Sequence, residues 1–184
     1  MKKTKNSISK LALLLFAIVT IPSCSSSDDA TPAPFPLPII TENVWKLDNY
    51  NYARRVSIQT YSSLGNFTIV NIDSNVATAN SPYTNCNLVI TFNTSSIGDY
   101  TVKTQNTMFT NATLKYMHIR CQIASGNGTG AVYDSVDSNV TATITRVNGK
   151  FVVNIPNNVI LTRSSNDGMV NPPANFTLTA QKVQ

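Results

Sequence analysis

The sequence predicts an all-β domain: an antiparallel β-sandwich, with a closed or partly open β-barrel as the alternative. Three observations carry this. From about Thr41 onward Thr, Asn, Val and Ser dominate, and no window shows a convincing 3.6-residue apolar period. Val140, Ala142 and Ile144 alternate with threonines, Asn148-Gly149 supplies a type I′ turn, and Phe151, Val153 and Ile155 alternate again. Turn signals recur between short apolar runs, at Leu64-Gly65-Asn66, Ser81-Pro82, Gly98-Asp99, Gly126-Asn127-Gly128, Asn166-Asp167-Gly168 and Pro172-Pro173. Hairpin chemistry favours antiparallel pairing, and the lack of helical segments excludes an α/β architecture.

In chain order the expected strands are Val44–Asp48, Ala53–Tyr61, Phe67–Asp73, Leu88–Phe92, Tyr100–Lys103, Thr113–Ile123 and Ala131–Ser135. The hairpin Asn139–Ile155 follows, then Val159–Thr162 and Phe176–Lys182. A two-residue turn at Asn148-Gly149 pairs Ile144 with Val153 and Ala142 with Ile155, so the apolar faces coincide. In 86–92, Cys86, Leu88, Ile90 and Phe92 share one face; in 117–123, Met117, Ile119, Cys121 and Ile123 do.

Charge tells more about address than about partners. The 184 residues hold 14 Lys+Arg and 9 Asp+Glu, a formal +5, but Lys2, Lys3, Lys5 and Lys10 all lie in the first ten positions. After Ser23, ten basic groups face nine acids. From Glu42 onward Arg54-Arg55 is the one adjacent basic pair, and no stripe of cations interleaves with aromatics, so nucleic acid is disfavoured.

Residues 1–23 read as a signal peptide: a basic start, an apolar run from Leu11 to Val19 too short to span a bilayer, then Thr20-Ile21-Pro22-Ser23. Ile21-Pro22-Ser23-Cys24 resembles the bacterial lipobox, which implies that Cys24 is lipidated and becomes the new N-terminus. Pro22 is the less usual member of that match. Ser25-Ser26-Ser27-Asp28-Asp29 resembles the export signal of Bacteroidota surface lipoproteins, with Ser27, Asp28 and Asp29 as its core. Pro32, Pro34, Pro36 and Pro38 alternate with other residues, which favours polyproline II. Residues 24–40 are thus an anchor, signal and tether, and 41–184 a single β domain. Acyl chains contribute ~0.8 kcal/mol per buried CH₂, so several make the anchor effectively permanent. The expected address is the outer membrane, lipid-anchored and exposed at the cell surface. Setting Cys24 aside leaves Cys86 and Cys121 in an oxidising compartment, where they are expected to form a disulfide.

The body also carries a family likeness. Trp45-Lys46-Leu47-Asp48, then Leu88–Phe92, Gly98-Asp99-Tyr100-Thr101-Val102, Tyr133, Asn148-Gly149-Lys150 and Phe176–Ala180 look similar to small Bacteroidota surface lipoproteins. The likeness covers most of residues 42–182 and rests on strand-and-turn patterns. It implies a fold and a location, and brings no catalytic or ligand residues.

Chemistry in the domain is sparse. A single histidine, His118, excludes two-His metal sites, and its parity, opposite Met117, Ile119 and Cys121, predicts an exposed side chain. There is no Gly-x-Ser-x-Gly elbow. Asp134, Asp137 and Asn139 could offer oxygens to a hard cation, but their spacing matches no known loop, and turn-forming Asp is the ordinary reading. No metal, cofactor or catalytic residue is therefore expected. Trp45, Tyr50 and Tyr52, near Asn43, Asn49 and Asn51, are candidate glycan contacts, since sugar C–H faces stack on rings while amides bond hydroxyls. The ordinary reading is that Trp45 packs in the core and the tyrosines edge the sheet. Asp134-Ser135-Val136 resembles a Bacteroidota O-glycosylation site, which makes Ser135 a candidate. The resulting expectation is a non-enzymatic binding or structural domain whose partner is an extracellular glycan or protein. The alternatives are a glycan-binding accessory and a lipocalin-like carrier, the latter because Asn43-Val44-Trp45 stands one residue from that fold's Gly-x-Trp start.

Overall fold

A computed structural model describes residues 43–76 and 81–184. The signal peptide, Cys24, the Ser27-Asp28-Asp29 signal and the tether lie outside the described residues. The domain is all-β, as predicted: one ten-stranded mixed sheet wrapped around a single core.

The pairings return to their starting point. β1 (Val44–Leu47) bonds β2 (Tyr50–Ser62), which bonds β3 (Phe67–Val76), which bonds β4 (Tyr83–Asn93). β4 bonds β6 (Tyr116–Ser125), β6 bonds β7 (Gly130–Ser135), and β7 bonds the second half of β9 (Lys150–Asp167). β9 bonds β10 (Asn175–Val183), and β10 bonds β1. Beside β7, a second route from β6 to β9 runs through β5 (Gly98–Val102) and β8 (Thr141–Val147). Opposed sides of this sheet pack face to face as in a sandwich: Phe92 of β4 meets Phe151 of β9 edge-on at 5.4 Å, and Tyr100 of β5 at 5.3 Å. Tyr83 of β4 meets Phe176 of β10 at 5.7 Å.

Period-2 alternation places the core as expected. Cys86, Leu88, Ile90, Phe92, Met117, Ile119, Cys121 and Ile123 are all buried. Leu47, Ile72, Leu88 and Ile119 have no accessible surface, from outside or from an inner void, so the interior around them is filled with side chains. Asn148 (φ 50°) and Gly149 (φ 80°) make the I′ turn, and Ile144 pairs with Val153 as predicted. That ladder stops at Thr143–Asn154, however. Ala142 pairs with Tyr100 instead, and Ile155 with Ala180.

Three further features differ from expectation. β9 runs unbroken through Pro156, where two separate strands were predicted. Pro156 falls between the β8 ladder, which ends at Asn154, and the β7 ladder, which begins at Leu161, so its missing N–H leaves no gap on that side. β5 and β6 pair in parallel, through Thr101–Tyr116 and Val102–Met117. Parallel neighbours need a crossover of a dozen or so residues. Here the crossover contains a short helix, α1 (Gln105–Thr110), too brief for its period to stand out in the sequence.

A side chain closes one seam. β10 reaches β9 only as far as Val153, leaving Phe151 without a strand partner on that side. Gln59 of β2 takes the place of one: its Nε2 donates to the Phe151 carbonyl at 2.7 Å, and its Oε1 accepts from the Phe151 amide at 2.8 Å. Phe151 is buried, so Gln59→Ala strands both backbone groups. We expect a loss of about 2–3 kcal/mol in urea denaturation, and a loss below ~0.5 kcal/mol would show that the bridge contributes nothing.

Candidate functional site

The crossover between β5 and β6 builds a hydrogen-bonded surface feature. Thr104 caps α1, its Oγ1 accepting from the Thr107 amide at 3.2 Å. Asp137 holds the same turn from outside, accepting from the Thr104 amide at 2.7 Å and from the Thr107 hydroxyl at 2.9 Å. Those bonds, the Thr104 amide first, keep its carboxyl below the ordinary value. At the other end, buried Asn93 of β4 points Nδ2 at the carbonyls of Met108, Asn111 and Leu114, at 2.9, 3.0 and 3.2 Å. Met108 is fully buried and Phe109 meets Phe67 edge-on at 5.4 Å. The helix therefore lies over the outer face of β4 and β6.

That cover explains His118. Parity predicts an exposed imidazole, and the residue does sit on the outer face, but it is only 3% exposed because α1 and its flanks cover it. The correction is one of cover, not of register. His118 Nε2 lies 3.1 Å from Asp134 Oδ1, yet the carboxylate stands off the direction of the ring N–H, so this buried nitrogen makes no hydrogen bond. Asp134 is the acceptor of a fork from Arg120, Nε at 2.8 Å and Nη2 at 3.3 Å. Burial alone would raise the Asp134 pKa, but the close approach of the His118 ring and the Arg120 fork outweigh it and hold the carboxyl well below the usual range.

A depressed carboxylate contributes stability that is complete above the unfolded value of about 3.9 and disappears as pH falls through the folded one. Asp134→Asn should therefore be less stable than the parent at pH 7, with the gap closing below about pH 4. Urea midpoints at pH 7 and pH 3 check this; a gap that widens in acid would contradict it.

Between α1 and the ends of β6 and β7 lies an open pocket of about 470 Å³, lined by Thr104, Gln105, Asn106, Phe109, His118 and Asp134, with Ser135 at its base. Gln105 and Asn106 are exposed, and the Phe109 ring is 42% exposed. Its volume falls within the roughly 300–1,000 Å³ of small-molecule sites. The pocket holds a donor–acceptor set of carboxamides, one carboxylate and one aromatic face.

The residues singled out from sequence fall elsewhere or in other roles. Trp45 and Tyr52 are 1% and 0% exposed, paired across β1 and β2 and stacked at 4.5 Å with an interplanar angle of 22°. Trp45 Nε1 donates to buried Ser74 Oγ at 2.9 Å. Burial pushes the Tyr52 phenol well above its ordinary value. Neither ring has a face to offer a glycan, which corrects that expectation. Tyr50 is half-buried against Tyr83 at 5.7 Å. Ser135 is also withdrawn from modification: it is 3% exposed, accepts from the Ile119 amide at 3.1 Å and donates to the Lys103 carbonyl at 2.7 Å. Asp134 and Asp137 turn to different partners. Among the described residues no cluster of three or more His, Cys, Asp or Glu is arranged to hold a metal ion.

Cys86 and Cys121 do face one another, on adjacent strands of the core, with sulfurs 3.3 Å apart and no bond between them in this structure. Burial raises the Cys86 thiol well above its ordinary value, so the reactive thiolate is scarce once the core has closed. In an oxidising compartment the pair is expected to close to a disulfide during folding, its two electrons and two protons passing to a thiol–disulfide oxidant. It would add about 3–4 kcal/mol by loop entropy. A thiol count on unfolded, unreduced protein should find neither cysteine free; two free thiols would refute it.

Phe109, Gln105 and Asn106 were not legible as site residues. The signals that pointed here were the lone histidine and the Asp134-Ser135 pair, each read for another role. Compared with family models, curated proteins and solved structures, the chain has no match.

Proposed function

We propose that this chain is an outer-membrane lipoprotein, anchored through Cys24 and displayed at the cell surface by the Ser27-Asp28-Asp29 signal and the proline-rich tether. Its β domain binds a ligand and does no chemistry. The pocket beside α1 is the observation that carries the binding role: it combines an exposed aromatic face with polar side chains, over a floor containing an imidazole nitrogen that makes no hydrogen bond. Its single carboxylate is held by Arg120, and its serine hydroxyl is used by backbone. That leaves neither an activated nucleophile nor a second carboxylate for hydrolysis.

The filled interior favours surface binding over a lipocalin-like carrier, which needs a hollow one. The extracellular partner is a glycan or a protein, and the domain's modest charge excess speaks against nucleic acid. Metabolic labelling with a palmitate analogue tests the anchor. Label should enter the parent and vanish in Cys24→Ala, and protease added to intact cells should remove the domain. Label persisting in Cys24→Ala would overturn the reading.

A further inference from the structure

We infer that the pocket beside α1 takes a neutral saccharide unit, an assignment that rests on the binding role proposed above. Its lining decides the ligand class by elimination. A wholly apolar ligand would strip water from the Asp134 carboxylate and the Gln105 and Asn106 carboxamides without replacing their hydrogen bonds. A phosphorylated or carboxylated ligand needs a free cation, but Arg120 already forks onto Asp134. A cationic ligand would compete with that same guanidinium for the carboxylate. What remains is a polar, uncharged molecule with many hydroxyls.

A sugar ring satisfies each element. Its C–H face lies on the exposed ring of Phe109, which Phe67 fixes edge-on from behind. Its hydroxyls donate to Asp134, whose side chain is 21% exposed and stays ionised. They accept from, or donate to, the carboxamides of Gln105 and Asn106. His118 forms the floor behind Asp134. Because its Nε2 is unbonded, a ligand that turns the carboxylate alters the environment of the imidazole directly.

The test uses a convenience of composition: the chain has one histidine, so its ring proton resonances need no assignment. Purified protein is titrated with neutral di- and trisaccharides built from glucose, galactose, mannose and N-acetylglucosamine, and separately with inorganic phosphate and spermidine. At least one saccharide should shift the His118 resonances saturably, while phosphate and spermidine should not. Asn106→Ala removes a carboxamide from an exposed helical position, and Phe109→Leu removes the ring while keeping apolar bulk. Each should weaken binding about tenfold without changing the melting temperature by more than a few degrees. A panel without any saturable shift overturns the assignment. So does a response to phosphate or spermidine alone, or saccharide binding that both variants retain at full strength. None of these results touches the palmitate experiment, so failure of the ligand class and failure of the anchored reading are separable.

Discussion

Trp45→Ala is expected to cost about 3–5 kcal/mol of folding stability, enough to leave many single domains largely unfolded at 37 °C. Trp45 is 1% exposed and stacks on Tyr52 directly across the β1–β2 ladder. Its indole N–H donates to Ser74, which has no accessible surface of its own. Truncation thus opens a cavity, forfeits an aromatic pair and leaves a buried hydroxyl without its donor, with all three losses falling at one point. Trp45→Phe separates them. It keeps the stack and most of the volume and loses the hydrogen bond, so about 1–3 kcal/mol is expected. Urea denaturation of both variants measures the difference. A Trp45→Ala cost under ~1 kcal/mol would mean the indole is not the core element described.

Asn93→Ala is expected to lower stability by about 2–3 kcal/mol and to dismantle the pocket without touching any residue that lines it. Asn93 has no accessible surface, and one carboxamide nitrogen serves the carbonyls of Met108, Asn111 and Leu114. Three carbonyls around one atom also establish which end of the amide is nitrogen. With that donor removed, the end of α1 has lost its tie to β4, and His118 has lost the cover that depends on it. Asn93→Asp should be worse than alanine, because it places a carboxylate against three carbonyl oxygens. Hydrogen exchange reads the local effect: amides of residues 105–111 should lose protection in Asn93→Ala well before the core strands do. Equal protection in parent and variant would show that α1 is held by something else.

Alternation along a strand depends only on neighbouring residues, so the inward faces of β4 and β6 were readable from the chain, down to two cysteines pointing into the same core. The Asn148-Gly149 turn was equally local, because φ > 0 at both positions is a property of those two residues. A period of two, however, says which side of a strand a residue occupies and nothing about what lies on top of it. His118 was assigned to the correct face and the wrong environment, because its cover comes from α1. Ser135 likewise resembled an exposed acceptor until Ile119 and Lys103 were found to occupy its hydroxyl. Trp45 and Tyr52 had the composition of a sugar platform, but they stand opposite one another on the inner face of β1 and β2, Trp45 on the same side as Leu47. The Gln59–Phe151 bridge joins residues 92 positions apart, and no local pattern encodes it. Strand direction and core membership are written in short-range periodicity; closure of the sheet, the parallel β5–β6 step and the pocket it creates arise from contacts between segments distant in the chain, whose energies belong to pairs of elements and not to either one alone.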